Sequence, residues 1–238
     1  MTDEKLNSNK DSINEFLHSF KLASERKRLG LLPVLEKRVE ELLGLGSSLM
    51  SEFESDICDW APGFILQLVH KNDKEFIRNN LDCSNLSWFK APSEVGVDYS
   101  SLQQYLLTER FEDADRFTSS KLRELAGEKA VKRGYVYFSE VDSIPGTDLA
   151  TLDKLWINYS KGKFGFTVQA KILETLGGRY DKLWPRIGWK KDGIWTRYPK
   201  SFNWSIEAPN GHMPLVNQLR GVRLMDALLN HQGFKAKS

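Results

Sequence analysis

The chain has 238 residues, a net charge of +2 at pH 7 and 40% hydrophobic residues. These values are typical of a globular protein with a sizeable core, and no apolar run approaches the roughly 20 residues that a membrane-spanning helix needs. Two distant cysteines and four histidines without metal-ligand spacing argue against a disulfide framework and a structural zinc site.

The N-terminus and the distribution of charge give two further expectations. The start, Met-Thr-Asp-Glu-Lys, has neither the apolar core of a signal peptide nor the Arg/Ser-rich pattern of a transit peptide. We therefore expect a bacterial cytoplasmic protein or an organelle-encoded one. Positive charge concentrates in residues 160–238, which favours an anionic ligand there, although a solvated basic surface would show the same pattern.

The first 90 residues have the hydrophobic spacing of short amphipathic helices. An apolar stripe after Ser12 predicts the first helix, and Pro33 is expected to open a second helix that Gly44 ends. Further helices are predicted over 47–55, 62–70 and 73–81. Helices paired by short turns resemble armadillo or HEAT-type stacking. We predict a small N-terminal helical bundle over residues 1–92.

Residues 93–238 are predicted to form a second domain, joined to the first by the segment from Lys90 to Gly96. Asp148 is expected to cap a helix that carries the apolar stripe Leu149, Leu152, Leu155 and Trp156. A later helix is expected to end at Gly177-Gly178. The final helix is predicted to begin near Pro214. Strand-like alternation is nearly absent, so the predicted fold class is all-α.

The segment 184–212 interrupts this regularity. It holds four tryptophans, three prolines and three glycines, with no sustained helical or strand period. Loops this long are usually functional or disordered, and disordered segments are poor in aromatic residues. We therefore predict a folded aromatic loop that carries function.

The final helix is predicted to carry polar residues opposite its apolar side. Asn217, Arg220 and Arg223 are spaced three apart and form one stripe, whereas Leu215, Leu219, Val222, Asp226 and Leu229 cluster on the other side. The stripe is expected to face outward, beneath the aromatic loop.

Aromatic and arginine side chains together suit a flat, mainly apolar ligand with anionic groups at its edge. The candidate aromatic residues of the loop are Trp195, Tyr198, Phe202 and Trp204, and the candidate cations are Arg197, Arg220 and Arg223. A porphyrin with two propionates fits this description, and so does single-stranded nucleic acid. A helical scaffold, with the tryptophans as ordinary core, is a third interpretation. No common catalytic or nucleotide-binding motif occurs, so we do not expect an enzyme.

The sequence resembles the genomes-uncoupled-four family of tetrapyrrole-binding proteins. The resemblance rests on five motifs in order between residues 95 and 229. They are DYSSLQQYL (98–106), AD…KLRELAG (114–127), SKGKFGFTVQ (160–169), LWPRIGWKKDGIWTRYPKSFNW (183–204) and APNGHMPLVNQLRGVR (208–223).

The resemblance implies an all-helical core that binds protoporphyrin IX and magnesium-protoporphyrin IX, without a catalytic cofactor. It implies stimulation of magnesium chelatase in chlorophyll synthesis through the enzyme's large porphyrin-binding subunit. We also expect a monomer without a nucleic-acid partner, in a cyanobacterial cytoplasm or a plastid stroma, and the sequence leaves peripheral membrane association open. Carried over by motif, Asn217, Arg220 and Arg223 match the family's porphyrin-contacting stripe. Phe202 and Tyr198 match the loop residues above the porphyrin, with Tyr198 where some members have tryptophan.

Overall fold

The computed structural model describes residues 13–83, 86–216 and 222–234, which are mainly helical. The helices are α1 (13–22), α2 (Glu25–Lys37), α3 (Val39–Gly44), α4 (Trp60–Asn72), α5 (Phe76–Asn80), α6 (Ser100–Leu107), α7 (Phe111–Leu125), α8 (Glu128–Arg133), α9 (Gly146–Asn158), α10 (Phe166–Thr175), α11 (Tyr180–Arg186) and α12 (Val222–Leu229). Short 3-10 helices cover Gly46–Ser48, Phe138–Ser143 and Gln232–Phe234. One antiparallel ladder pairs β1 (Lys190–Lys191) with β2 (Ile194–Trp195). The predicted all-α class is confirmed.

The N-terminal helices follow the predicted apolar spacing with two differences. Ile13, Leu17 and Phe20 are buried along α1, as the stripe predicts. Pro33 lies inside α2 instead of opening a helix, so the predicted second helix is divided into α2 and α3. The predicted helix over 47–55 is wrong, because only Gly46–Ser48 forms a helical turn there. Serine and glycine favour turns over helix interiors, which accounts for the error.

Helix α4 is the main contact between the N-terminal helices and the rest of the chain. Nearly all of its residues are buried, as expected of a helix that is apolar around most of its circumference. A Cβ atom at Gly63 would lie 1.9 Å from the carbonyl oxygen of Asn158, so this glycine permits direct backbone contact with the end of α9. The Gln67 side chain donates hydrogen bonds to the carbonyls of Leu106 and Tyr159. The division into domains 1–92 and 93–238 stays a prediction.

Helix α9 lies at the centre of the core. Leu149, Leu152, Leu155 and Trp156 are fully buried along it. The predicted cap at Asp148 is wrong, because Pro145 precedes the first helical residue.

The buried Asp148 carboxylate instead fixes the segment that was predicted to link the two domains. It accepts hydrogen bonds from the Ser93 hydroxyl, the Glu94 backbone N–H and the Tyr99 hydroxyl. Charged acceptors make stronger hydrogen bonds than neutral ones. Residues 93–99 are therefore held against the core by a carboxylate from α9.

The final helix begins later than predicted. Pro214 and the next two residues are not helical, and the described helix α12 starts at Val222. The Gln169 amide donates to the Pro214 carbonyl, and Asp115 accepts from the Leu215 backbone N–H. These backbone groups are thus held by side chains instead of helical partners. The buried side of α12 also differs from the predicted apolar side. Val222 is exposed, and the buried residues are Leu224, Met225, Leu228 and Leu229.

Candidate functional site

An apolar pocket of about 140 Å³ lies between α7, α12 and the residues that follow α8. Its lining residues are Ser119, Leu122, Arg123, Gly134, Tyr135, Val136, Ile144, Leu215, Val216, Leu224 and Leu228. Pockets that enclose a small-molecule ligand usually measure about 300–1,000 Å³. This pocket can therefore receive one edge of a large ligand, with the remainder lying over its rim.

Aromatic rings and arginines lie within two residues of the lining residues in sequence, and these neighbours are called the rim: Arg133, Tyr137, Phe138 and Arg223. Tyr137 and Phe138 are about half exposed, so two adjacent rings are accessible beside the pocket. The Arg133 guanidinium lies 4.7 Å and 4.0 Å from the ring centroids of Tyr135 and Tyr137, and Arg223 lies 5.4 Å from that of Phe138. Arg133 also forms an ion pair with Glu140. The rim thus offers π faces and the Arg223 cation to a ligand that is flat and anionic at its edge, whereas Arg133 is held by Glu140.

One face of α7 connects the pocket to the aromatic loop. Asp115, Ser119 and Leu122 are spaced by four and three residues and share this face. Ser119 and Leu122 line the pocket, whereas Asp115 accepts the Leu215 backbone N–H at 2.7 Å. Seven residues of helix span about 10 Å, so the two ends of this face are about 10 Å apart.

The Asp115 carboxyl lies next to Tyr198 of the aromatic loop. Burial raises the pKa of Asp115 to about 7, and the hydrogen bond from Leu215 and the nearby Tyr198 hydroxyl act in the opposite direction. Burial and the Asp115 charge in turn raise the pKa of Tyr198. A carboxyl on α7 is therefore close to both the loop and the start of the segment that leads to α12.

Tyr198, Phe202 and Trp204 form one aromatic cluster, with ring centroids 5.8–6.1 Å apart. Phe202 also packs at 5.2 Å on His212, whose Nδ1–H donates to the Ile187 carbonyl. Burial lowers the pKa of His212, so this histidine is a neutral packing residue and not an exposed base. Tyr198 is exposed, whereas Phe202 is only 6% exposed. In this arrangement Tyr198 presents the larger surface to a ligand.

Trp195 belongs to a different cluster. It packs on Trp184, which stacks on the fully buried Trp189 at 5.6 Å. Lys190 lies 5.3 Å from the Trp195 ring across the β1–β2 ladder. The Trp189 indole N–H donates to the His212 carbonyl at 2.7 Å. These contacts make the tryptophans mainly supports for the loop, and Trp195 is the partly exposed member of the group.

The remaining predicted residues have different outcomes. Arg223 is exposed on α12 and reaches the pocket rim. Arg197 is exposed in the loop, two residues beyond the β1–β2 ladder. Asn217 and Arg220 lie outside the described residues, although the pocket residues Leu215–Val216 and Leu224 flank them in sequence. The proposed ligand roles of all seven residues stay predictions.

Sequence reasoning missed the rim segment 134–138. This run, Gly-Tyr-Val-Tyr-Phe, carries three aromatic residues directly after the Gly134 stop of α8. Helical periodicity does not select it because residues 134–137 are not helical and Phe138 only begins a short 3-10 helix. Its aromatic density next to a helix-ending glycine is the signal that could have identified it.

Within 13–83, 86–216 and 222–234, no three His, Cys, Asp or Glu residues group so that they could hold a metal ion. In the same part of the chain, no helix has the length and hydrophobicity to cross a membrane.

The GUN4-like family model matches residues 92–232, which is more than half of the chain. The Ycf53-like protein of Synechocystis sp. is 38% identical over 225 residues, covering 93% of this chain and 96% of that protein. The chloroplastic tetrapyrrole-binding protein of Arabidopsis thaliana is 37% identical over 150 residues, covering 59% of this chain and 57% of that protein.

Solved structures show the same relationship in three dimensions. The structure of GUN4 from Chlamydomonas reinhardtii is 38% identical and superposes with a TM-score of 0.58, covering 61% of this chain and 93% of that one. The ligand-free structure of Arabidopsis thaliana GUN4 has the same identity and a TM-score of 0.54, covering 58% of this chain and 99% of that one. The chain is therefore a member of the GUN4-like family.

Proposed function

We propose that this chain binds protoporphyrin IX and magnesium-protoporphyrin IX and acts as a non-catalytic regulator of magnesium chelatase. The observation that carries the proposal is the apolar pocket with an aromatic and cationic rim, in a family with a member named as a tetrapyrrole-binding protein. The expected location is a cyanobacterial cytoplasm or a plastid stroma, which agrees with relatives from Synechocystis and a chloroplast.

The pocket suits a macrocycle in both shape and polarity. Leu122, Val136 and Leu224 offer apolar contact to one edge of the ring. The exposed rings of Tyr137 and Phe138 can cover part of its face, and Tyr198 can do so from the aromatic loop. Aromatic faces bury large areas at low entropic cost. These side chains supply the apolar part of recognition.

Arginines at the rim can orient the ligand by its propionates. Arg123 lines the pocket and Arg223 lies at its edge. Guanidinium groups bind carboxylates through paired hydrogen bonds, and the distance between such contacts fixes the orientation of a dicarboxylate. Arg220 is proposed to contribute in the same way by its place in the family motif.

The expected affinity follows from the buried area. Covering several hundred Å² of macrocycle at about 25 cal/mol/Å² gives several kcal/mol. Immobilisation of the ligand and ordering of the loop remove a large part of this gain. A net binding free energy of about −8 to −9 kcal/mol, or micromolar to submicromolar affinity, is expected.

The chelatase role and the partner rest on the family resemblance. The large porphyrin-binding subunit of magnesium chelatase is the proposed partner. A non-enzymatic role is proposed because the chain belongs to a family with a member named as a tetrapyrrole-binding protein.

A porphyrin titration tests the proposal. We expect protoporphyrin IX to quench tryptophan emission and to shift its own Soret band, because Trp195 and Trp204 are partly exposed beside the loop. Arg223→Ala should weaken binding about fivefold to tenfold through loss of one charged contact. The matched control is Arg78→Ala on α5, an exposed arginine outside the pocket lining.

Two results would contradict parts of the proposal. If wild-type protein at tens of micromolar leaves the Soret band of protoporphyrin IX unchanged, the proposed tetrapyrrole binding is contradicted. If the chain binds porphyrin but does not stimulate a reconstituted magnesium chelatase, the proposed regulatory role is contradicted and the binding role stands.

A further inference from the structure

A buried carboxylate joins the two segments that border the candidate site. Asp115 is 1% exposed on α7. Its Oδ1 accepts the Leu215 backbone N–H at 2.7 Å, and Leu215 and Val216 form part of the pocket wall. The Tyr198 hydroxyl of the aromatic loop lies close enough to the carboxyl to lower its pKa. One side chain thus contacts the pocket wall and approaches the loop.

Burying the Asp115 carboxylate lowers the stability of the folded state. Stability alone therefore does not explain why an aspartate occupies this position. Burial disfavours the ionised form, and Glu112 on the same helix adds repulsion that Arg116 only partly offsets. Oδ2 is buried without a hydrogen-bond partner among the described residues. Replacing a buried charge with a neutral residue often causes no loss of stability. In some proteins such a buried charge instead fixes the geometry of its surroundings.

We propose that Asp115 is a positioning residue of the tetrapyrrole site. Its Oδ1 holds the Leu215–Val216 wall against α7 through the Leu215 backbone N–H, and it does not contact the ligand. This inference rests on the proposed function. At pH 8 the Asp115 carboxyl is mainly ionised, and a hydrogen bond to a carboxylate is about twice as strong as one to a neutral amide, so Asp115 holds the wall more firmly at that pH than asparagine would.

Asp115→Asn tests the inference, with Asp153→Asn as the matched control. Asp153 is also a buried carboxylate with a raised pKa, but it accepts from the Thr167 N–H and hydroxyl at the start of α10, outside the pocket lining. We expect Asp115→Asn to weaken protoporphyrin IX binding about tenfold, because small displacements of a supported site are costly. Asp153→Asn should stay within about twofold of the wild type.

Stability separates positioning from a general structural role. The Asp115→Asn variant should unfold at the same temperature as the wild type at pH 8, or at a higher one, because asparagine removes the cost of the buried charge. Weaker binding without lower stability is the expected result. Equal porphyrin affinity in the variant and the wild type would overturn the inference. The inference would also be overturned if Asp115→Asn and Asp153→Asn lost porphyrin affinity to the same extent.

A ligand-free measurement keeps this inference separate from the proposed function. In NMR spectra of the free chain, Asp115→Asn should shift the Leu215 amide proton and the Tyr198 ring signals, whereas Asp153→Asn should leave both in place. An unmoved Leu215 amide signal in Asp115→Asn would overturn the inference. A failure of the wild type to bind porphyrin, with these shifts present, would fault only the proposed function.

Discussion

Replacing Gly63 with alanine should destabilise the chain through the contact between α4 and α9. The new Cβ atom would lie 1.9 Å from the Asn158 carbonyl oxygen and 2.7 Å from its carbonyl carbon. Both partners are backbone atoms in packed helices, so neither can rotate away. One helix must move by more than 1 Å to restore an ordinary van der Waals distance of about 3.5 Å.

The expected cost can be worked out from the neighbouring contacts. Overpacking in a dense core costs about 1–3 kcal/mol. The displacement also strains the two hydrogen bonds of Gln67, each of which contributes about 0.5–1.5 kcal/mol. Alanine regains about 1 kcal/mol through its higher helix propensity. A net loss of about 2–4 kcal/mol should lower the melting temperature by about 5–15 °C in a chain of this size.

Thermal and urea unfolding of Gly63→Ala measure this loss, and Gly30→Ala is the matched control. Gly30 lies inside α2, and a Cβ atom there would meet nothing within 4 Å. The control should therefore be as stable as the wild type or more stable by up to about 1 kcal/mol. If Gly63→Ala unfolds like Gly30→Ala, the close packing of α4 on α9 is refuted.

Two further predictions concern the supports of the site. Trp189→Phe should cost about 1–3 kcal/mol in urea unfolding, because it leaves the buried His212 carbonyl without its indole donor; an unchanged midpoint would contradict this. Since the folded pKa of Asp115 is raised to about 7, its ionisation lowers stability as pH rises from about 5 to 8. The stability of Asp115→Asn relative to the wild type should therefore increase by about 1–3 kcal/mol over that range, and a pH-independent difference would contradict the raised pKa.

Local patterns in the sequence predicted most of the helices. The stripe of Leu149, Leu152, Leu155 and Trp156 is buried in α9 because amphipathic spacing reports directly on which face meets the core. Gly177 and Gly178 end α10 with positive φ angles, as glycines after a helix usually do. These features depend on a few adjacent residues, so a single sequence suffices.

The errors arise where distant residues decide the local conformation. The segment at Pro214 has the pattern of a helix start, but Gln169 and Asp115 bind its backbone from 45 and 100 residues away. Asp148 similarly binds the segment 93–99 from α9 instead of capping its helix. A sequence pattern contains no information on such partners unless it is compared with relatives.

The candidate site was only partly accessible to sequence reasoning. Composition selected the aromatic loop, and the structure places Tyr198 and Phe202 of that loop in one cluster. Composition could not separate Trp195, which packs on Trp184 of α11, from the cluster of Tyr198 and Phe202. The rim at 134–138 was missed because its role comes from its position beside α12, and position is a tertiary property.

Hydrogen–deuterium exchange with and without protoporphyrin IX tests the location of the site most directly. Binding at the pocket should slow amide exchange in peptides that contain residues 134–138, 198–204 and 215–229, and should leave α4 unchanged. Slower exchange confined to the N-terminal helices, with none at 134–138 or 215–229, would show that the ligand binds elsewhere.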